Sequence, residues 1–114
     1  YNQAVAAGNW LYCSGQIALD PLTGLMVGEG DIEKETKQVL SNLLEVLKCA
    51  GASTTNVIKT TIYLVDLKDF EKVNRIYSET FSQGISPARA CVEVAGLPKG
   101  GKVEIDCVAW LGQN

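Results

Sequence analysis

Residues 57–81 read VIKTTIYLVDLKDFEKVNRIYSETF, a stretch in which a strand pattern passes directly into a helix pattern. The first nine positions are rich in β-branched residues, which predicts a strand over residues 57–65 with Ile58, Ile62 and Leu64 on its buried face. Residues 66–69 resemble a capping box and open the helix. Its apolar stripe consists of Phe70, Val73, Ile76, Tyr77 and Phe81. A strand followed by an amphipathic helix indicates a sheet covered by helices.

A second helix and an alternating strand precede this stretch. Residues 31–50 carry apolar side chains at helical spacing, and Asp31 is able to cap the start of this helix and Gly51 its end. Residues 9–17 alternate with a period of two, which predicts a strand. After a turn, residues 25–27 are expected to complete a hairpin with it.

The remaining segments complete an α+β pattern. Residues 1–6 are expected to form a first strand, and residues 88–95 and 102–111 form two last strands that the glycine-rich turn 96–101 should join as a hairpin. This order predicts a single α+β domain over residues 1–114, with two helices packed on one face of one sheet. Because several strands carry large apolar side chains on both sides, the other sheet face is expected to pack against another copy of the chain.

Composition excludes several classes of function. The chain has 114 residues, of which 46% are apolar and 20% charged, as in an ordinary folded domain. A formal net charge of -3 argues against binding to a nucleic acid backbone. The sequence has no histidine, which excludes Ser-His and Cys-His nucleophile pairs and histidine metal ligands.

Cysteine spacing and hydropathy argue against a metal centre and a membrane segment. Cys13, Cys49, Cys91 and Cys107 form no C-x-x-C motif and lie within apolar periodic segments, so we expect four reduced thiols and no structural zinc. The apolar runs are far shorter than the ~20 residues that cross a bilayer.

Two charged residues near the end of the chain are the candidates for chemistry. If the two last strands pair, Arg89 and Glu104 can project into one cleft, where the planar guanidinium could hold a carboxylate and the glutamate a water molecule. On spacing alone, an exposed ion pair between strands is the simpler interpretation. Cys91 has no histidine to activate it, so a small buried side chain is favoured over a nucleophile. Ser14 and Gly15 either bind a ligand through backbone groups or only end a strand.

Five segments together resemble the reactive intermediate deaminase A family, also called the RidA or YjgF type. They are Tyr1-Asn2-Gln3-Ala4, Cys13-Ser14-Gly15-Gln16-Ile17, Val57-Ile58-Lys59-Thr60-Thr61, Pro87-Ala88-Arg89-Ala90 and Val103-Glu104-Ile105-Asp106. The resemblance runs from Tyr1 to about Leu111. It implies a chorismate-mutase-like α+β protomer with one mixed sheet, three of which assemble as a homotrimeric barrel with clefts between subunits.

The resemblance also implies a cofactor-free hydrolase without a metal. Such enzymes are 2-iminobutanoate/2-iminopropanoate deaminases, which convert enamine and imine intermediates of pyridoxal-phosphate enzymes, such as 2-aminoacrylate, into 2-keto acids and ammonia. By this resemblance Arg89 holds the substrate carboxylate and Glu104 positions and activates water. Tyr1, Ser14, Gly15 and the Cys91 backbone would line the cleft.

The chain departs from the family pattern at three points. The usual Glu-x-Glu reads Glu104-Ile105-Asp106, position 96 is glycine, and the loop before Pro87 is short.

A non-catalytic metabolite-binding, regulatory or chaperone-like role is the alternative function, with an endoribonuclease or translation inhibitor ranked third. The expected compartment is the cytoplasm, or a mitochondrion or plastid if a targeting segment precedes Tyr1.

Overall fold

Five strands form one mixed sheet in the computed structural model, which describes residues 2–112. The strands are β1 (Ala4–Ala7), β2 (Trp10–Gln16), β3 (Val57–Leu64), β4 (Ala88–Glu93) and β5 (Val103–Trp110), and the helices are α1 (Ile32–Cys49) and α2 (Phe70–Thr80). The strand order is β1-β2-β5-β3-β4. β3 and β4 run parallel, whereas the other described neighbours run antiparallel. The predicted α+β class with one mixed sheet and two helices is confirmed.

The ends of α1 follow from its capping residues. The Asp31 side chain accepts hydrogen bonds from the backbone N–H groups of Glu33 and Lys34, which otherwise lack partners in the first turn. Such a cap contributes about 1 kcal/mol to stability. Beyond the last turn, Gly51 adopts a φ of +76°, a conformation that glycine reaches without strain. Both predicted caps are confirmed.

Both helices pack on the same face of the sheet. Along β5 every second residue is buried, beginning at Val103 and ending at Ala109. In α1 the side chains of Leu43 and Leu47 are fully buried against this face, and each contributes roughly 1.5–3 kcal/mol. In α2 the Tyr77 hydroxyl shares a buried hydrogen bond of 2.7 Å with the hydroxyl of Thr60 on β3.

The opposite face of the sheet is open in the described chain. It carries exposed apolar side chains from the first two strands, among them Trp10 with 40% and Tyr12 with 54% of its surface accessible. The Trp10 ring packs edge-on against the ring of Trp110 on β5, with 4.7 Å between centroids. Exposed aromatic side chains on one sheet face are typical of an interaction surface. The expected contact with further copies of the chain stays a prediction.

The predicted hairpin between the last two strands is wrong. β4 pairs in parallel with β3, and β5 lies on the other side of β3, between β3 and β2. The reason is that α2 returns the chain to the start of β3, as in any strand-helix-strand crossover, so β4 takes up the free edge of β3. The segment that follows then carries the chain across to the other side of β3, where β5 pairs.

Three smaller predictions also need correction. Residues 25–27 form no strand, and a single bridge pairs Leu19 with Met26 instead. Ile58 is exposed because the register between β3 and β5 shifts after Val57, which is buried in its place. The first strand begins at Ala4, and Tyr1 lies outside the described residues.

Candidate functional site

Glu104 lies beside a bulge in β2, at one end of a cavity of about 670 Å³. Between the pairs Cys13–Cys107 and Gln16–Ile105, three steps along β2 oppose two along β5, so Ser14 and Gly15 bulge out of the ladder. A Cβ atom on Gly15 would lie 2.7 Å from Cδ of Glu104, closer than side chains tolerate. Only glycine at this position therefore leaves room for the Glu104 carboxyl group where it is.

The far wall of this cavity is held by side chains of α1. The Asn42 amide donates to the backbone carbonyls of Ile17 and Leu19 at 3.0 and 2.7 Å. Gln38 donates to the Asn42 side chain at 2.8 Å and supports the same loop. The cavity wall is thus anchored to α1, whose inner face packs in the core, rather than left as a free loop.

Ser14 has a different role from Gly15 in this arrangement. Its hydroxyl donates to the carbonyl of Asn2 at 2.6 Å, and its backbone N–H donates to the carbonyl of Gln3 at 2.8 Å. Ser14 therefore ties the amino-terminal segment to the cavity. The cleft contact that the family resemblance implies for Tyr1 lies outside the described residues and stays a prediction.

The electrostatics of the Glu104 carboxyl group favour proton transfer. Partial burial raises the pKa of Glu104, and the nearby carboxylate of Asp106 raises it further. Asp106 itself accepts a hydrogen bond of 3.0 Å from the Tyr63 hydroxyl. A carboxyl group whose pKa lies nearer to neutrality than usual is suited to take a proton from water and to give it back.

Arg89 occupies a second place in the molecule, on edge strand β4. Its guanidinium carbon lies 4.9 Å from the centroid of the Tyr77 ring and 5.3 Å from that of Phe70. One guanidinium nitrogen donates to the side-chain oxygen of Asn74 on α2. Two aromatic rings and an amide therefore orient an exposed cation at a cavity of about 480 Å³. A fixed, exposed guanidinium can bind a carboxylate through two parallel hydrogen bonds.

Arg89 and Glu104 lie on opposite faces of the sheet within one chain. Arg89 is the register partner of Thr60, and Glu104 is the register partner of Tyr63. Thr60 and Tyr63 are three residues apart on β3, so their side chains project to opposite sides. The expectation that the two residues meet in one cleft by direct strand pairing is therefore wrong, because β3 separates their strands.

Cys91 lies on the same side of β4 as Arg89. It is half-buried, and burial raises the pKa of its thiol, an effect that the nearby Arg89 cation opposes. A neutral thiol of this kind is a poor nucleophile. All four cysteines are free.

Sequence reasoning missed the residues that orient the two candidates. Phe70 and Tyr77 were expected only as core residues, and Asn74 carried no signal of its own. Tyr63 could have been found, because the alternation along β3 assigns it to the uncovered face together with Glu104 and Asp106. Among residues 2–112, no three acidic, cysteine or histidine side chains gather as a metal site, and no helix is both long and apolar enough to cross a bilayer.

The five-stranded mixed sheet with two helices, together with the groups around Arg89 and Glu104, defines a class of small α+β proteins. The family described as endoribonuclease L-PSP matches residues 1–111. The chain therefore belongs to this family, which is the RidA/YjgF family that the sequence resembles.

Named relatives are similar over nearly the whole chain. A RutC family protein of Synechocystis is 56% identical over 97% of this chain and 85% of its own length. The 2-iminobutanoate/2-iminopropanoate deaminase of Rattus norvegicus is 50% identical over 98% of this chain and 80% of its own length.

Solved structures share the fold. A crystal structure described as a putative endoribonuclease from Thermotoga maritima superposes with a TM-score of 0.93 at 41% identity, covering 99% of this chain and 87% of that one. The structure of Escherichia coli TdcF with bound serine superposes with a TM-score of 0.92 at 36% identity, covering 98% of this chain and 88% of that one.

Proposed function

We propose that this protein is a cofactor-free imine and enamine deaminase that hydrolyses 2-imino acids, such as those derived from 2-aminoacrylate, to 2-keto acids and ammonia. The observation that carries the proposal is the pair of complementary groups, an oriented exposed cation at Arg89 and a carboxyl group of raised pKa at Glu104. About half of the residues are shared with mammalian proteins named 2-iminobutanoate/2-iminopropanoate deaminase, which supports this substrate class.

Arg89 binds the substrate carboxylate in this proposal. Every 2-imino acid carries a carboxylate next to the reacting carbon, so one guanidinium positions the C=N bond whatever the side chain of the substrate. The rings of Tyr77 and Phe70 hold the guanidinium without neutralising its charge. The related Escherichia coli protein with bound serine accommodates a small amino acid, which carries the same group.

Glu104 activates the attacking water. In its ionised form it removes a proton from water as the oxygen bonds to the carbon of the protonated imine, which gives a neutral tetrahedral carbinolamine. The protonated Glu104 then returns that proton to the nitrogen. The C–N bond breaks, ammonia leaves, and the hydroxyl proton passes to solvent as the carbonyl group forms. An iminium ion already reacts with water, so orientation and one proton relay suffice for catalysis.

A homotrimer completes the site in this proposal. Arg89 and Glu104 lie on opposite faces of one sheet, so a single chain brings only half of the groups to each cavity. Packing of the open sheet faces, with the exposed side chains of Trp10 and Tyr12, would set edge strand β4 of one subunit, which carries Arg89 and the Cys91 backbone, beside Ser14, Gly15 and Glu104 of the next. We expect Tyr1 to join the latter group, and the protein to act in the cytoplasm.

The test measures 2-keto acid formation from an imine generated in situ by an amino-acid oxidase. The wild-type protein should accelerate hydrolysis over the spontaneous reaction. Arg89→Ala should lose roughly 100-fold in kcat/KM, because a charge-assisted bidentate contact contributes about 3 kcal/mol. Arg89→Lys is the matched control, since it keeps the charge and loses the fork, and it should retain part of the activity.

One result would contradict the proposal, and a second would exclude the nuclease alternative. If the wild-type protein, shown to be folded and trimeric, does not accelerate hydrolysis of imines from several amino acids, the chain is not a deaminase. Binding of amino or keto acids without turnover would then indicate the metabolite-binding role. RNA cleavage that depends on neither Arg89 nor Glu104 and disappears on purification would exclude the nuclease function, which the net charge of -3 already disfavours.

A further inference from the structure

Tyr63 and Asp106 form a polar pair beside Glu104 on the open face of the sheet. Tyr63 on β3 is the direct register partner of Glu104 on β5. Its hydroxyl reaches diagonally to Oδ2 of Asp106, two residues further along β5, at 3.0 Å. A diagonal contact of this kind is within reach of an aromatic side chain on an antiparallel pair. The three side chains therefore share one face and one short segment of two strands.

We propose that Tyr63 and Asp106 are positioning residues for the reaction proposed above, because they fix a negative charge beside Glu104 and so tune it to take a proton from water and return it to the departing nitrogen. This inference rests on the proposed deaminase function. Neither residue needs to touch the substrate.

The hydrogen bond determines where the charge of Asp106 lies. A free aspartate side chain at a half-buried position can turn its carboxylate toward water, which would screen its charge. The Tyr63 hydroxyl holds one oxygen of Asp106 against the sheet instead. Tyr63 remains a donor throughout the physiological range, because burial and the Asp106 carboxylate raise its pKa above the ordinary value of 10.0.

The residues of β2 and β3 that face Glu104 add no further charge beside it. On β2 the facing residues are Ser14, Gly15 and Gln16, which do not ionise near neutrality. On β3 the facing titratable group is Tyr63 itself. Across the cavity are the side chains of Lys99, Asp20 and Glu45.

The charge of Asp106 acts in the required direction. Burial makes the largest contribution to the raised pKa of Glu104, and the Asp106 carboxylate makes the second. The described residues place no hydrogen-bond donor of their own on the Glu104 carboxyl group, so nothing in this part of the chain opposes these two effects.

The role of the pair follows from the proton balance of the reaction. Glu104 must gain one proton when water adds to the C=N bond and lose the same proton when the C–N bond breaks. A carboxylate with ordinary proton affinity is a weak base for the first step, and general acid and base catalysis is most efficient when the pKa lies near the working pH. A fixed anion beside Glu104 strengthens it as a base and leaves it able to return the proton.

A purely structural role for the hydrogen bond is the competing explanation. Tyr63 and Asp106 would then only strengthen the pairing of β3 with β5. A structural role would lower stability or expression when either residue is changed, but it would not move the pH at which Glu104 titrates.

The experiment uses the full chain in its native assembly and compares Asp106→Asn, Tyr63→Phe and Asp106→Glu. Asp69→Asn at the start of α2, where the side chain makes no capping hydrogen bond, is the matched control. Two quantities are measured: the pH profile of kcat/KM with an imine generated in situ, and the titration of the Glu104 carboxyl carbon by ¹³C NMR.

We expect the acidic limb of the profile and the NMR midpoint to move together to lower pH in Asp106→Asn, with kcat/KM at neutral pH roughly threefold to tenfold lower. Tyr63→Phe should shift both in the same direction by less, because the charge remains but is no longer held. Asp106→Glu should restore the wild-type limb, since it keeps the charge. Asp69→Asn should change neither quantity.

Two different failures can be told apart. If the wild-type protein is active and Asp106→Asn leaves both the limb and the midpoint unchanged, the positioning role is refuted and the deaminase function stands. If the wild-type protein itself has no activity, the proposed function fails, and the positioning role fails with it.

Discussion

The variant Gly15→Ala tests whether the β2 bulge serves folding or positions the Glu104 carboxyl group. In Gly15→Ala the new Cβ would lie 2.7 Å from Cδ of Glu104 and closer still to its Oε2, whereas ordinary contacts begin at 3.4 Å, so the carboxyl group must withdraw by about 1 Å. The obstructing atoms belong to the end of a flexible side chain that can move aside, so the cost to folding should lie near about 1 kcal/mol, the low end of what added methyl groups cost in packed sites. A displacement of about 1 Å at a reacting group, however, costs on the order of 100-fold in rate.

We therefore expect Gly15→Ala to melt within a few degrees of the wild-type protein and to lose roughly 100-fold in kcat/KM with an imine generated in situ. Gly96→Ala is the matched control, because its Cβ would meet no atom within 4 Å and its φ is not positive. Both variants are measured by thermal unfolding and by keto-acid formation at one protein concentration. Full activity in a stably folded Gly15→Ala would refute the reasoning that the bulge positions Glu104.

Two further predictions concern stability. Glu35 is buried, and its carboxylate oxygens accept hydrogen bonds from the backbone N–H groups of Lys102 at 3.0 Å and Gly30 at 3.3 Å. Glu35→Ala should therefore lower the free energy of unfolding by about 2 kcal/mol, and Glu35→Gln by less. Equal urea midpoints for the two variants would contradict this. Burial and the Asp106 carboxylate raise the pKa of Glu104 above its ordinary value of 4.5. Between the two pKa values the folded state therefore binds more protons than the unfolded state, and stability falls as pH rises through that window. Glu104→Gln should therefore gain stability over the wild-type protein at pH 7 and show no gain at pH 4, as measured by urea unfolding; a gain of the same size at both pH values would argue for a packing effect instead.

Arg89 and Glu104 are positioned independently of each other in this chain. Each residue is oriented by its own neighbours, Arg89 by the rings and amide of α2 and Glu104 by the β2 bulge. Neither group depends on the other for its position. Subunit assembly is then the step that would create the proposed site, so activity should depend on the integrity of the oligomer.

Several elements of the fold could be predicted from local sequence. The helix over Ile32–Cys49 was recognisable because its caps at Asp31 and Gly51 are local interactions within one or two turns. The β-branched alternation of residues 57–65 identified β3 for the same reason, apart from the shift at Ile58. The candidate residues came from the family resemblance, since spacing alone favoured an exposed ion pair between Arg89 and Glu104.

The sequence by itself determined both helices and most of the strands, because these depend on neighbours a few residues apart. Through the family resemblance it also indicated which side chains are candidates for chemistry. Only the tertiary structure decided that β5 lies between β2 and β3, that β4 joins β3 in parallel, and that Arg89 and Glu104 therefore lie on opposite faces. Strand order depends on how α2 packs across the sheet. The face on which a side chain lies depends on the register of the strands, and a bulge of one residue moves the side chains that follow it to the other face. Both are set by contacts between residues far apart in the chain.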